Sequence, residues 1–223
     1  MKRLCCLVLA LWVGLQADCA VGLKPDPQDD LFAHPAALDQ LATLLAPART
    51  PLAESQALRG AFEQRKYLSG IPKPLVSRGE FTFARDRGVW WHTRVPFDSE
   101  FILTRDGMTQ RDAGGTPITL SSQQQPALRV VADVFLSLFS LDLKLLAQSF
   151  DTFGMPDAQG WQLGLVPHAG ALGGIVARVT IHGKTRVDHV DLVDSRGDRT
   201  ELVLTDDGRG AGPLTPEELQ HFR

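Results

Sequence analysis

Residues 60–107 read GAFEQRKYLSGIPKPLVSRGEFTFARDRGVWWHTRVPFDSEFILTRDG, and the alternation within this stretch decides the fold. Gly79, Phe81 and Phe83 are separated by polar residues, and a similar alternation runs through residues 58–63. Successive side chains of a β-strand point to opposite faces, so this period of two predicts strands with one apolar and one solvated face. Residues 89–95 and 101–103 continue the pattern.

Further strands and turns follow towards the C-terminus. Asp106-Gly107 and residues 112–115 predict turns before strands near 108–111 and 117–120. Later strands are predicted at 150–153, 161–166, 175–181, 187–193 and 200–205. Turns that recur every eight to twelve residues or so are typical of an antiparallel meander.

Three segments have a helical period instead. Residues 35–48 predict an amphipathic helix that is stopped by Pro47, after a polar leader over residues 23–33. Residues 126–147 predict one helix or a pair of short helices with a broad apolar sector. Thr215, Pro216 and Glu218 have the spacing of a capping box and predict a short terminal helix.

The first residues predict export. Met1-Lys2-Arg3 is basic, Leu4 to Leu15 is apolar, and Ala17 to Gly22 is rich in small residues, which is the organisation of a signal peptide. We interpret residues 1–20 as that peptide, with cleavage between about 17 and 22, and residues 21–223 as a single domain. The apolar run is shorter than the roughly 20 residues that a membrane-spanning helix needs, so a retained anchor is the less favoured alternative.

All three cysteines, Cys5, Cys6 and Cys19, lie in or beside this segment, so no disulfide framework is expected. Acylation of Cys19 would need an apolar residue three positions earlier and a small residue immediately before it. Gln16 and Asp18 occupy those positions. This disfavours a lipoprotein anchor without excluding it.

Composition and motifs argue against several classes of function. The net charge of −3 gives no general attraction to nucleic acid. His182, Asp188, His189 and Asp191 could suggest a metal site, but alternation predicts that they lie on an exposed sheet face. No glycine-flanked nucleophilic serine is present, and the cysteines lie with the export signal. We therefore expect no enzyme, no cofactor and no metal.

The quoted stretch resembles the LolA family, the periplasmic carriers of outer-membrane lipoproteins. An early strand of that family carries Phe-x-Gln, and a glycine- and aromatic-rich strand, an arginine, a tryptophan, a proline and an Asp-Gly turn follow in order. The matching residues here are Phe62, Gln64, Gly79, Phe81, Phe83, Arg85, Trp91, Pro96 and Asp106-Gly107.

The resemblance implies a mainly β fold with some α-helix, an unclosed antiparallel β half-barrel with a helical lid, which the periodicity also favours. It implies that Arg85 bonds the lid to the barrel and helps to couple opening to release. Asp86 and Val89 depart from the family pattern, as does the segment at 68–75. The cargo could therefore be a lipid other than lipoprotein.

A carrier of this kind needs an apolar hollow. Each methylene withdrawn from water contributes about 0.8 kcal/mol, but an empty hollow exposed to water would be adhesive, so helical residues must replace the cargo when it leaves. We predict a floor and a lid surface from these residues: Phe62, Phe81, Phe83, Trp91 and Leu103 for the floor, and Val134, Phe135 and Leu138 for the lid.

The sequence thus predicts a monomeric periplasmic carrier that takes an acylated lipoprotein or envelope lipid from an inner-membrane release complex to an outer-membrane acceptor. Two alternatives keep the fold: an outer-membrane-anchored, LolB-like receptor, and a carrier of a non-protein lipid such as an aryl polyene or glycolipid. A third, an enzyme on the sheet surface, would depend on His182 or His189.

Overall fold

A computed structural model describes residues 27–170, 172–206 and 212–222. The predicted signal peptide lies outside them. One antiparallel sheet dominates, in the spatial order β6-β5-β4-β3-β2-β1-β11-β10-β9-β8-β7. Its strands are β1 Ala57–Tyr67, β2 Leu75–Ala84, β3 Gly88–Val95, β4 Ser99–Leu103, β5 Gly107–Asp112, β6 Ile118–Ser121, β7 Phe150–Asp157, β8 Gly160–Pro167, β9 Val176–Gly183, β10 Val187–Asp194 and β11 Arg199–Thr205.

The sheet consists of two meanders that meet at a seam between the first and the last strand. Phe62 of β1 pairs with Leu204 of β11, and Gln64 pairs with Leu202. β6 and β7 form the two edges of the sheet, so it does not close into a barrel. The predicted fold class, an unclosed antiparallel sheet with helices, is confirmed.

The helices connect or flank the two meanders. They are a 3₁₀-helix at Pro27–Ala33, α1 Leu38–Leu44, α2 Ala46–Glu54, α3 Pro126–Ser140, α4 Leu143–Ser149 and α5 Pro216–His221. α3 and α4 are separate because Leu141 has a φ of 48° and Asp142 accepts hydrogen bonds from the backbone N–H groups of Lys144 and Leu145. Of the two alternatives predicted for residues 126–147, one helix or a pair, the structure has the pair.

The first helical prediction is wrong in its boundaries. Pro47 does not stop a helix but lies in the first turn of α2, where its missing N–H group is not needed. The leader predicted over 23–33 is also corrected, because residues 27–33 form a 3₁₀-helix whose Leu31 is buried. Leu31 and Phe32 lie over Gly164 of β8, on the face of the sheet opposite to that of Leu163.

Glycines of the quoted stretch make room for aromatic rings on the inner face of the sheet. A Cβ on Gly60 would lie 2.7 Å from the ring of Phe81, and one on Gly79 would lie 2.8 Å from the ring of Phe62. The alternation of glycine with phenylalanine therefore lets rings from neighbouring strands lie flat against the sheet.

Two apolar clusters form the core. The first meander packs its aromatic side chains against Leu128, Ala132 and Leu136 of α3. The second packs Trp161, Leu163 and other strand residues against α1, α2 and α4. Leu58 and Val190 contact both clusters, and α3 contributes to both. The inner face of the sheet is therefore one continuous apolar surface under the helices.

Candidate functional site

A cavity of about 140 Å³ lies between α3 and the inner face of the sheet. It reaches from the loop before β9 to the hairpin between β9 and β10. The described side chains around it are all apolar: Phe101, Leu103, Val134, Phe135, Leu138, Phe139, Phe150, Leu172, Ile175, Val176, Val179, Ile181, Val187, Val190, Leu192, Leu202 and Leu204. None of these residues offers a polar side chain to bind or activate a polar group.

Four of the eight residues predicted for the hollow line this cavity. Leu103 lies on its floor, and Val134, Phe135 and Leu138 of α3 face it from above. The α3 residues are only partly buried, as expected for side chains that cover a space without filling it.

The other four predicted residues are buried beside the cavity, where they pack on one another. The rings of Phe62 and Trp91 stack with centroids 3.9 Å apart. Phe81 and Phe83 lie 5.8 Å and 5.5 Å from the ring of Phe139. Large rings thus fill the hollow over the first meander.

Most of the floor comes from the second meander, which the sequence reasoning did not assign to the site. Val179 and Ile181 of β9, Val190 and Leu192 of β10, and Leu202 and Leu204 of β11 form it. Those of β9 and β10 alternate with polar residues, and that signal could have identified them, whereas Leu202 and Leu204 flank the apolar Val203. Aliphatic side chains are smaller than the rings of the first meander, and the space remains on their side.

Arg85 lies in the turn after β2. Its guanidinium donates a hydrogen bond to the carbonyl oxygen of Leu52 in the last turn of α2, and its backbone N–H donates to Gln56 O at 3.2 Å. A cation is favourable at this end of a helix because the final carbonyl groups carry partial negative charge. Arg85 therefore ties the sheet to α2.

The histidine pair forms a polar cluster on the other face of the sheet. His182 pairs with His189 across β9 and β10, and His189 Nε2 lies 2.9 Å from Asp191 Oδ2. The bond to Asp191 raises the pKa of His189, whereas burial lowers the pKa of His182. Burial favours a higher pKa for Asp191, but hydrogen bonds from His189 and Arg199 lower it to about 2.

Within residues 27–170, 172–206 and 212–222, no group of three or more His, Cys, Asp or Glu side chains could hold a metal ion. In the same ranges no helix is long and apolar enough to cross a membrane. Apolar side chains are nevertheless exposed at one end of the sheet: Ile71, Leu75, Val95, Phe97 and Ile118, with Phe97 80% exposed.

A family model described as outer membrane lipoprotein carrier protein LolA-like matches residues 33–221, which is most of the chain. The chain belongs to the LolA-like family. The match covers both meanders, the seam between them and α3. No curated protein matches the LolA-like chain in sequence.

Solved structures are similar to this LolA-like protein in fold. A LolA superfamily protein from Nitrosomonas europaea has 11% identity, covers 81% of this chain and 96% of its own, and superposes with a TM-score of 0.50. A DUF1329 family protein from Desulfovibrio piger has 12% identity, coverages of 75% and 92%, and a TM-score of 0.38. An outer membrane lipoprotein-sorting protein domain from Vibrio parahaemolyticus has 11% identity, coverages of 81% and 99%, and a TM-score of 0.39.

Proposed function

We propose that this LolA-like protein is a monomeric periplasmic carrier, without catalytic activity, for the acyl chains of lipoproteins or of a related envelope lipid. The observation that carries the proposal is the wholly apolar lining of the cavity beneath α3. A hydrocarbon chain needs cover from water and no specific polar partner, and this lining supplies cover alone.

The size of the cavity indicates how loading occurs. A dry protein cavity of about 150 Å³ accommodates a molecule such as benzene, so 140 Å³ holds only a small part of an acyl chain. α3 must move away from the sheet for a whole chain to enter. In this proposal Val134, Phe135 and Leu138 cover the space that cargo would occupy.

A carrier also has to meet its donor and its acceptor. We infer that the exposed apolar side chains in and beside the loops at 68–74, 96–98 and 113–117 contact the inner-membrane release complex and the outer-membrane acceptor. These loops lie at the same end of the first meander, so their apolar side chains form one surface. Exposed apolar patches of this kind mark interaction sites in soluble proteins.

Filling the cavity tests the proposal. In the variant Val190→Phe, the added ring should occupy the space between β10 and α3 and lower the affinity for a synthetic triacylated lipopeptide or for palmitate at least tenfold. Binding is measured by fluorescence titration and by native mass spectrometry. Leu38→Phe, at an exposed position of α1 away from that surface, is the control and should bind like the wild type.

The thermal unfolding midpoint of each variant shows whether it is folded. Unchanged binding by a folded Val190→Phe protein, or a wild-type protein that binds neither lipid, would falsify the carrier proposal.

A further inference from the structure

A second chamber of about 330 Å³ continues the cavity towards the end of α2. The two chambers share Phe139, Val187 and Leu204 in their linings. The other residues around the second chamber are Pro51, Leu52, Ser55, Leu58, Arg59, Phe81, Thr185, Arg186, Thr205 and Asp206. The two chambers are therefore adjacent parts of one path that these shared side chains interrupt, with Phe139 at the junction.

The path changes in polarity along its length. The first chamber is lined by apolar side chains alone, whereas the second combines an apolar interior with the polar side chains of Ser55, Thr185 and Thr205. Arg186 and Asp206 form an ion pair at this chamber, with both side chains about half exposed. Such an exposed pair contributes little stability, so a ligand anion can replace the carboxylate.

The length of the path suits a whole hydrocarbon chain. The first chamber begins at residues 172–176, before β9, and the second reaches residues 185–186, after it. β9 has eight residues, which at the usual rise spans about 26 Å. A lipid tail spans half of the bilayer core, or about 15 Å. Once α3 moves and the two chambers join, their combined length is sufficient for one extended tail and a polar group.

Phe139 is placed to open or close the junction. Its ring lies 5.2 Å from the ring of Phe135 on α3 and contacts Phe81 and Phe83 of the sheet. The side chain is only partly buried. A shift of α3 would carry this ring away from Val187 and Leu204 and join the two chambers.

We propose that the cargo is an amphiphile with a single long chain and an anionic head, whose chain lies in both chambers past Phe139 and whose head binds Arg186. This inference rests on the proposed carrier function and narrows its cargo, because the length of the path suits one extended chain and the charged side chains border the second chamber alone. A fatty acid and a lysophospholipid both have this chemistry.

A chain-length series tests the path. Wild-type protein is titrated with fatty acids of eight to eighteen carbons, and the affinity should rise by up to about fourfold for each methylene that leaves water. Leu58→Phe narrows the second chamber alone. In this variant the affinity should stop increasing at a shorter chain length than in the wild type, while short acids should bind with unchanged affinity. Val190→Phe is the comparison, and it should lower the binding affinity for acids of every chain length.

The head group is tested separately. Arg186→Gln should lower the binding affinity for palmitate and for lysophosphatidic acid about fivefold or more. The affinity for uncharged monopalmitoylglycerol should not change. The ratio of palmitate to lysophosphatidic acid binding then distinguishes the two sources of the anion.

The inference is overturned if Leu58→Phe preserves the full chain-length dependence, or if Arg186→Gln weakens charged and uncharged ligands equally. Tight wild-type binding of the triacylated lipopeptide with no binding of single-chain lipids would also overturn it, and the carrier proposal would still stand. Failure of the wild type to bind any lipid would instead remove the carrier proposal itself.

Discussion

Arg59 and Glu218 form an ion pair on the outer face of the sheet, where it holds α5 against β1. Arg59 Nε lies 2.6 Å from Oε1 and Nη2 2.7 Å from Oε2 of Glu218, and the two side chains are only 5% and 10% exposed. Hydrogen bonds from Arg59 and from the backbone N–H of Thr215 lower the pKa of Glu218 to about 2. At neutral pH the carboxylate is therefore fully ionised in the folded protein.

Removal of this carboxylate leaves a buried guanidinium without its main partner. We expect Glu218→Ala to lower the free energy of unfolding at pH 7 by roughly 3–5 kcal/mol. Because the pKa is lowered from 4.5 to about 2 on folding, the contribution is fully present above about pH 4.5 and is lost as the pH falls towards 2. Urea titrations of the wild type and of Glu218→Ala between pH 7 and pH 2.5 measure this contribution to the free energy of unfolding.

The neighbouring exposed Glu217→Ala controls for the loss of an acidic residue from the first turn of α5, and it should change stability by less than about 1 kcal/mol. A difference between wild type and Glu218→Ala that stays the same from pH 7 to pH 2.5 would contradict the assignment.

At the scale of elements, α2 is the helix that the sheet holds through Arg85. Pro51, Leu52 and Ser55 of this region border the second chamber, so the position of α2 determines how open that chamber is. The family resemblance implied a bond between the sheet and the lid. In this chain the observed bond is to Leu52, and any role of Arg85 in release would operate through α2.

We expect Arg85→Leu to retain cargo longer. The hydrogen bond to Leu52 holds α2 against the sheet, and its loss destabilises this closed arrangement by about 0.5–1.5 kcal/mol relative to a loaded form with α2 displaced. Net transfer of a fluorescent lipid to acceptor vesicles should slow by about two- to tenfold, and the thermal unfolding midpoint should fall by no more than a few degrees. Arg87→Leu, an exposed substitution in the same turn, is the control.

Transfer by Arg85→Leu at the wild-type rate would show that this bond does not contribute to release.

At the scale of the molecule, the two meanders share one inner surface. Leu58 and Val190 contact both apolar clusters, and α3 covers both. Trp90 and Trp91 lie in the first meander and Trp161 lies in the second, so each half carries its own fluorescent reporter.

We expect the halves to unfold together because they share these contacts. The experiment uses protein without residues 1–20. In Trp161→Phe the remaining tryptophan fluorescence reports on the first meander. In the double variant Trp90→Phe/Trp91→Phe it reports on the second. Both variants should give single urea transitions, each coincident with its own far-ultraviolet circular dichroism. Fluorescence and circular dichroism transitions that separate would mean that the meanders are independent folding units.

The sequence predicted the sheet well because alternation is local. The alternation of Phe81 and Phe83 with Glu80 and Thr82 does not depend on the rest of the chain, and these residues lie in strand β2 as predicted. Pro47 was misinterpreted because proline is compatible with both the end and the first turn of a helix, and only tertiary packing decides between them. Arg59 was predicted to lie on the polar face of β1, but its partner is 159 residues away.

The position of the cavity was predictable only in part. Leu103 and three α3 residues were identified from their apolar faces, but a void depends on what neighbouring side chains leave unfilled. Phe62 and Trp91 stack on each other and fill their part of the hollow, and no one-dimensional pattern contains that contact. The smaller side chains of Val190 and Leu202, which pair across β10 and β11, leave the space.

The seam between β1 and β11 links assembly to function. Thr205 reaches Ala61 across 144 residues, and the last strand supplies Leu202 and Leu204 to the floor beneath α3. Contacts between such distant segments form late in folding because a long loop must close first. A chain that ends before β11 lacks this part of the floor and the seam that joins the two meanders, so the complete apolar surface beneath α3 forms only when the last strand is in place.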